Sequence, residues 1–243
     1  MNDIRTILID SLKQWNIDIS DHQISQFERF YSLLIEWNNK MNLTSITDPV
    51  EAAYKHFVDS VSLISYLDLE DTSLIDIGTG AGFPGIPLKI MVPSCNIVLV
   101  DSLDKRVRFL QNVIDDLGLD QIDAVHSRAE DLARDKSYRE NFDVAVSRAV
   151  ANLCSLSEYC IPFVKVGGVF ASYKSDSIKE ELHECKYAVN ELGGKINSVE
   201  SFTIPGTEYN RSIVFIDKLK ACDYVYPRKA GLPTKRPLLT PTT

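Results

Sequence analysis

The stretch that most constrains this chain is Leu74-Ile75-Asp76-Ile77-Gly78-Thr79-Gly80-Ala81-Gly82-Phe83-Pro84-Gly85. A short apolar run ends in an acid, a glycine cluster and a proline, which reads as a buried strand, a tight loop and a helix start. Glycines at 78, 80 and 82 permit positive φ and let bare main chain approach a ligand, and Pro84 suits a first helical turn because its missing N–H would be unpaired there anyway. The expectation is a small molecule lying on that loop; the bland alternative is a glycine-rich turn with no ligand. A dinucleotide fingerprint wants G-x-G-x-x-G facing a pyrophosphate. Here the order is D-x-G-x-G-x-G, and Phe83 stands where the third dinucleotide glycine would be.

The rest of the chain supplies the frame for such a loop. Two amphipathic helices are expected first, one on Ile4, Ile7, Leu8, Leu12 and Trp15, the other behind a capping box at Ser20 to Gln23. A loop over 38–47 follows, then a third helix opened by Asp48-Pro49 that carries His56 and Asp59 on one face. Beyond Gly85, strands at 96–101, 122–126, 142–147 and 169–173 alternate with helices at 104–117, around 153–159 and at 177–192. Two late strands, near 196–204 and 212–216, have no helix between them. Alternation calls for a parallel sheet, and the last pair calls for an antiparallel edge.

With 243 residues there is room for one large α/β unit. The expected division is an N-terminal helical extension over 1–68, a core over 69–220 and a proline-containing tail over 221–243. Five scattered cysteines with no C-x-x-C pair argue against a disulfide framework and against a metal site. No apolar run is long enough to span a membrane, and no basic-then-apolar leader opens the chain, so a cytoplasmic protein is expected. A net charge of −8 opposes non-specific nucleic-acid binding, but the end from Tyr224 contains no acid and four cations, Arg228, Lys229, Lys235 and Arg236. Pro227, Pro233, Pro237 and Pro241 imply that these cations are presented on an extended segment able to hold RNA phosphates.

The D-x-G-x-G-x-G loop resembles the first motif of class I S-adenosylmethionine (AdoMet) methyltransferases, whose Rossmann-like sheet matches the strand pattern above. In open α/β sheets the ligand lies beyond the carboxyl ends of the strands. This nominates Gly78 to Gly85, among them Gly80, Gly82 and Phe83, with Asp101 after the second strand, Ala129 and Glu130 after the third, and Ser147 and Arg148 after the fourth; Asp76, the acid that opens the motif, joins them as a cofactor-binding candidate. Asp101 stands roughly twenty residues after the loop, the distance at which a carboxylate meets ribose hydroxyls; it could instead cap the next helix, as could Ser102 or Asp104.

Recognition sharpens when Met41-Asn42-Leu43-Thr44, His56 to Ser60, Asp76 to Leu88, Asp101 to Leu110, Ser127 to Glu130, Ser147 to Ala149 and Tyr224 to Leu238 are taken together. In this order and over nearly the whole chain they resemble the RsmG (GidB) family, which methylates N7 of a guanine in the 530 loop of 16S ribosomal RNA, at the family's position 527. The resemblance implies AdoMet contacts at Gly78, Phe83, Ala129, Glu130 and Arg148. It also implies RNA-facing roles for Asn42, His56, Lys174, Arg211 and the basic tail, with the small ribosomal subunit as partner and a monomeric enzyme. One departure is Ser175, where many relatives have glycine.

Guanine N7 carries a lone pair and no hydrogen, so its methylation needs no general base. The expectation is therefore no catalytic acid or base, only positioning. His56 could alternatively be a structural partner of Asp59. Two other functions fit less of the pattern, a nicotinamide-dependent oxidoreductase on the same sheet and a non-catalytic AdoMet-holding ribosome-binding protein.

Overall fold

The computed structural model describes residues 2–148, 151–175 and 178–240. Helix α1 (Asn2–Gln14) and helix α2 (Asp21–Met41) come first. The capping box of α2 is present: Gln23 N–H donates to Ser20 Oγ and Ser20 N–H to Gln23 Oε1. At the other end Asn42 takes a left-handed conformation, φ 48°, and stops the helix. Asparagine tolerates that region better than a branched residue. Helix α3 (Pro49–Ala52) is capped by Asp48 and runs directly into a π-helical turn (Ala53–Val58), an α turn (Asp59–Val61) and a 3-10 turn (Ser62–Ser65). The sequence pattern implied one helix here, because a π turn shifts the face by a single residue and leaves hydrophobic spacing almost intact.

Seven strands form one sheet in the order β3-β2-β1-β4-β5-β7-β6. They are β1 (Ser73–Ile77), β2 (Asn96–Asp101), β3 (Ile122–His126), β4 (Phe142–Arg148), β5 (Val164–Ser175), β6 (Gly194–Thr203) and β7 (Asn210–Lys218). The β1–β2, β1–β4, β2–β3 and β4–β5 pairs are parallel, whereas β7 runs antiparallel to both β5 and β6. The crossover helices are α4 (Gly85–Met91), α5 (Asp104–Leu117), α6 (Ala129–Leu132), α7 (Leu153–Cys160) and α8 (Lys179–Glu191). Ser177, expected to open the last of these, and Ala149 lie outside the described residues, as does Pro241.

One strand corrects the sequence reading. β5 begins at Val164, before Gly167-Gly168, and not at 169 as the sequence pattern implies. The glycines lie inside the strand at a register shift against β4: Gly167 has φ 90°, and a Cβ on Gly168 would fall 2.5 Å from the Asp143 carbonyl. Glycine marks a bulge here, not a strand end.

The sheet is buried on both faces. On one, Ile4, Leu8 and Leu12 of α1 and Phe27, Phe30 and Leu34 of α2 join Phe57, Ile86, Phe109 and Leu110 in one apolar cluster. On the other, Leu156 and Cys160 of α7, Phe163, Phe170 and Val189 form a second. The N-terminal helices thus complete the core, as amphipathic patterning expects.

The C-terminal segment is not extended throughout. Helix α9 (Leu232–Lys235) interrupts it, with Pro233 in the first turn, where proline costs no hydrogen bond. Arg139, which is 6% exposed, donates to the carbonyls of Cys222, Asp223 and Tyr226, and Arg134 donates to those of Tyr224, Val225 and Pro227.

The start of α4 is packed without slack. A Cβ on Gly85 would lie 2.2 Å from Leu99 Cδ2 and 2.9 Å from Asp76 Oδ2. Gly85→Ala should therefore destabilise the fold by about 1–3 kcal/mol through overpacking. Urea denaturation reads this directly, and an unchanged midpoint would refute the packing argument.

Candidate functional site

β1 and β4 are neighbours in the sheet although their chain connections run in opposite directions, so a crevice opens at their carboxyl ends. A cavity of ≈ 600 Å³ occupies it. Its floor is the glycine loop. Gly78 has φ 72° and Gly80 φ 62°, and a Cβ built on Gly80 would meet nothing within 4 Å, so bare backbone faces the space. The loop is held from below by Asp76, which is fully buried and whose Oδ2 accepts from Thr79 Oγ1 at 2.7 Å and Gly85 N–H at 2.9 Å. Burial pushes this carboxyl up to about 6, against the pull of both hydrogen bonds.

Asp101 ends β2 and stands beside the loop. Its Oδ2 accepts from Gly80 N–H at 3.0 Å and Arg106 at 3.3 Å, and its Oδ1 accepts from Leu103 N–H at 2.9 Å. Neither Asp101, Ser102 nor Asp104 is the N-cap of α5; that position is Leu103, without a side-chain cap. Asp101 instead ties the loop to the next crossover while lining the cavity.

Of the proposed cofactor residues, Gly78, Gly80, Phe83, Asp101, Ala129, Glu130 and Arg148 line this cavity. Asp76 and Gly82 do not. Asp76 supports the loop, and Gly82 serves packing: its Cβ would strike Ile86 Cδ1 at 2.4 Å, and its φ is 92°. Phe83 has a clear reason to be aromatic. It packs 5.2 Å from the ring of Phe30 and 6.1 Å from that of Phe57, and the His56 ring stacks on it at 4.4 Å and 17°.

His56 belongs to the π turn, and Arg148 at the end of β4 reaches into that turn. Its guanidinium donates to the Lys55 and His56 carbonyls and to Asp59 Oδ2 at 2.9 Å, and lies 5.1 Å from the Phe83 ring centre. His56 and Asp59 thus meet through an arginine and not directly. Burial, then the Arg148 charge, pushes the imidazole down to about 3, so it is neutral near pH 7. Its Nε2 lies 3.0 Å from Thr44 Oγ1, another cavity residue.

A second cavity of ≈ 570 Å³ shares His56, Arg148 and Ala151 with the first. Its walls bring Lys174 and Arg211 together with Lys55, Asp59 and Glu181. Lys174 is paired with Glu181 at 2.7 Å, and Arg211 with Asp59 at 3.3 Å. Asn42 lines neither space; its backbone ends α2, which delivers Leu43 and Thr44 to the first cavity, and its side chain is exposed.

The tail divides. Lys229, Lys235 and Arg236 are exposed. Arg228 is not a freely presented cation: it pairs with Glu158, which has no exposed surface, at 2.6 Å. Engaging an RNA phosphate would require leaving that pair, and removing the guanidinium from a buried carboxylate is costly. Sequence reasoning missed Thr44, Tyr159, Gly231 and Thr234 as cavity residues. Only the fold brings them there, although Thr44 lies in the Met41–Thr44 motif and Gly231 and Thr234 in the Tyr224–Leu238 motif. Among the described residues no group of three potential ligands could hold a metal ion, and no helix is long and apolar enough to cross a membrane.

The chain is similar to known proteins in both fold and sequence. A solved S-adenosylmethionine-dependent methyltransferase from Aquifex aeolicus has the same fold, with a TM-score of 0.53 at 18% identity over 70% of this chain and 93% of that one. A ribosomal RNA small subunit methyltransferase G from Lachnoclostridium phytofermentans is 50% identical over 95% of this chain and 96% of the relative. One from Desulforamulus reducens is 47% identical over 98% of this chain and 100% of its own. The family model described as rRNA small subunit methyltransferase G matches residues 23–214, and with relatives this similar along nearly their whole length the chain belongs to that family.

Proposed function

We propose that the protein transfers a methyl group from AdoMet to N7 of a guanine in the 530 loop of 16S ribosomal RNA, acting as a cytoplasmic monomer on the small subunit. The observation that carries this reading is the open backbone at Gly78 and Gly80 facing the same cavity as Asp101 and Glu130, with a second, cation-lined cavity adjoining it. The donor set fits the cofactor: glycine-loop backbone for its amino-acid end, the Asp101 carboxylate for ribose hydroxyls, and Ala129-Glu130 for the adenine. AdoMet supplies an electrophilic methyl. Everything else is done by the chain, which holds the nucleophile in line with the methyl group.

The second cavity suits a nucleotide. Lys55, Arg148, Lys174 and Arg211 stand against Asp59 and Glu181, an excess of two positive charges over its walls (four cations less two carboxylates). His56, neutral and buried, takes no proton from the acceptor, and N7 has none to give. The Lys229, Lys235 and Arg236 side chains supply the outer phosphate contacts. Transfer of labelled methyl to small subunits, with mass mapping of the modified nucleotide, tests the assignment; modification elsewhere, or none, overturns it.

Two outcomes follow from the electrostatics. His56 has a folded pKa below its unfolded value, so its cost appears as pH falls from about 6.5 towards 3 and is absent above that window. Above the windows of both His56 and Asp76, whose carboxyl burial pushes up to about 6, the single-turnover methyl-transfer rate should be flat between about pH 7.5 and 8.5, whereas a rise through one pKa in that range would reveal a general base. The Lys229→Ala, Lys235→Ala, Arg236→Ala triple variant should weaken RNA binding and flatten the plot of log affinity against log salt, by roughly 0.7–0.9 for each phosphate that is no longer neutralised. An unchanged salt slope would remove these residues from the interface.

A further inference from the structure

The C-terminal segment contributes to the cofactor cavity and is fastened to its rim. Gly231 and Thr234 line the same space as Ala129, Glu130 and Tyr159. Gly231 N–H donates to Glu130 Oε1 at 2.9 Å, and Tyr159 Oη lies 2.8 Å from Thr234 Oγ1. Behind them, Ser155 Oγ donates to the Pro233 carbonyl at 2.9 Å. The main anchor is Arg228: its backbone N–H and its guanidinium both donate to the Glu158 carboxylate, and the guanidinium also donates to the Arg236 carbonyl at 2.8 Å. Every one of these partners is on α6, α7 or the tail itself, so this wall is built from two helices after the third and fourth strands and a segment seventy or more residues further along the chain.

We propose that residues 228–236 are the wall closing the Glu130 end of the cofactor cavity, held shut by the Arg228–Glu158 pair, and that this wall sets how long AdoMet stays bound. The proposal rests on the reading of the cavity as an AdoMet site. Its physical basis is the contrast between the two sides of the wall. Toward the sheet it is fixed by a buried ion pair and directional hydrogen bonds, but Lys229, Thr234, Lys235 and Arg236 are exposed, so no further layer covers it. Such a wall opens as a unit when its anchor is removed. An ordinary surface tail would leave the cavity unchanged when cut loose. This one takes Gly231 and Thr234 with it and exposes the space beside Glu130 to water.

The test measures AdoMet binding to the full chain by calorimetry and its release by stopped flow. Arg228→Ala should speed release about tenfold, with a matching loss of affinity. Because that change leaves Glu158 buried without its partner and could unfold the protein, Thr234→Trp is the second variant. It leaves the anchor intact, fills the cavity from an exposed position, and should weaken AdoMet binding by a similar factor while the melting temperature stays put. Affinity and release within twofold of the parent, in both variants with native circular dichroism, would overturn the wall. A parent chain that bound no AdoMet would overturn the cofactor reading with it, an outcome distinct from normal binding in all three proteins.

Discussion

The site depends first on a carboxylate that no solvent reaches. Asp76 Oδ2 holds the hydroxyl of Thr79, within the glycine loop, and the amide of Gly85, at the start of α4, while its Oδ1 has no hydrogen-bond partner among the described residues. Burying such a group costs free energy, and its raised pKa is the measure of that cost. In exchange, one atom fixes the two ends of a turn whose glycines would otherwise sample many conformations. With the turn fixed, Gly80 N–H can point at Asp101, and the ends of β1 and β2 act as a single surface. The clash that any Cβ on Gly85 would meet with Asp76 and Leu99 follows from the same tight packing.

A second constraint joins the N-terminal residues to the sheet. The π turn at Ala53–Val58 departs from α-helical hydrogen bonding, and Arg148 from β4 donates to the carbonyls of Lys55 and His56 within it. The same guanidinium pairs with Asp59 and faces the Phe83 ring, which the aromatic rings of Phe30 and Phe57 support from behind. Residues from α2, the π turn, the glycine loop and β4 therefore share one packed centre. This explains how helices that precede the first strand can influence a site at the strands' carboxyl ends: they set the position of Phe83 and His56.

What could be read beforehand follows the range of each interaction. The alternation of strands and helices, the capping box at Ser20 and the loop at Gly78 depend on residues close in sequence, and their patterns are visible there. Asp101 could be nominated by spacing, but its hydrogen bond to Gly80 could not, because a carboxylate at a strand end has many alternative partners. Arg228 shows the limit most plainly. As a cation in an acid-free tail it reads as a phosphate ligand, yet Glu158, seventy residues away, takes its guanidinium. The start of β5 reads too late in the sequence for a related reason: a glycine pair serves both a strand end and a bulge, and only the position of the Asp143 carbonyl beside Gly168 distinguishes them.

The charge arrangement around the two cavities is consistent with a reaction that delivers positive charge to its product. Methylation at N7 leaves the purine cationic, so an unpaired cation beside the base would oppose the transition state. The three cations set deepest in these walls are not left unpaired: Arg148 and Arg211 share Asp59, and Lys174 holds Glu181. The imidazole that faces both spaces is kept neutral by burial and by the adjacent guanidinium. Exposed cations without a carboxylate partner among the described residues are found on the tail, at Lys229, Lys235 and Arg236, and at Arg128 in the wall of the first cavity, where solvent screens them. The deepest cations of these walls are thus each held by a carboxylate, whereas those of the tail face solvent.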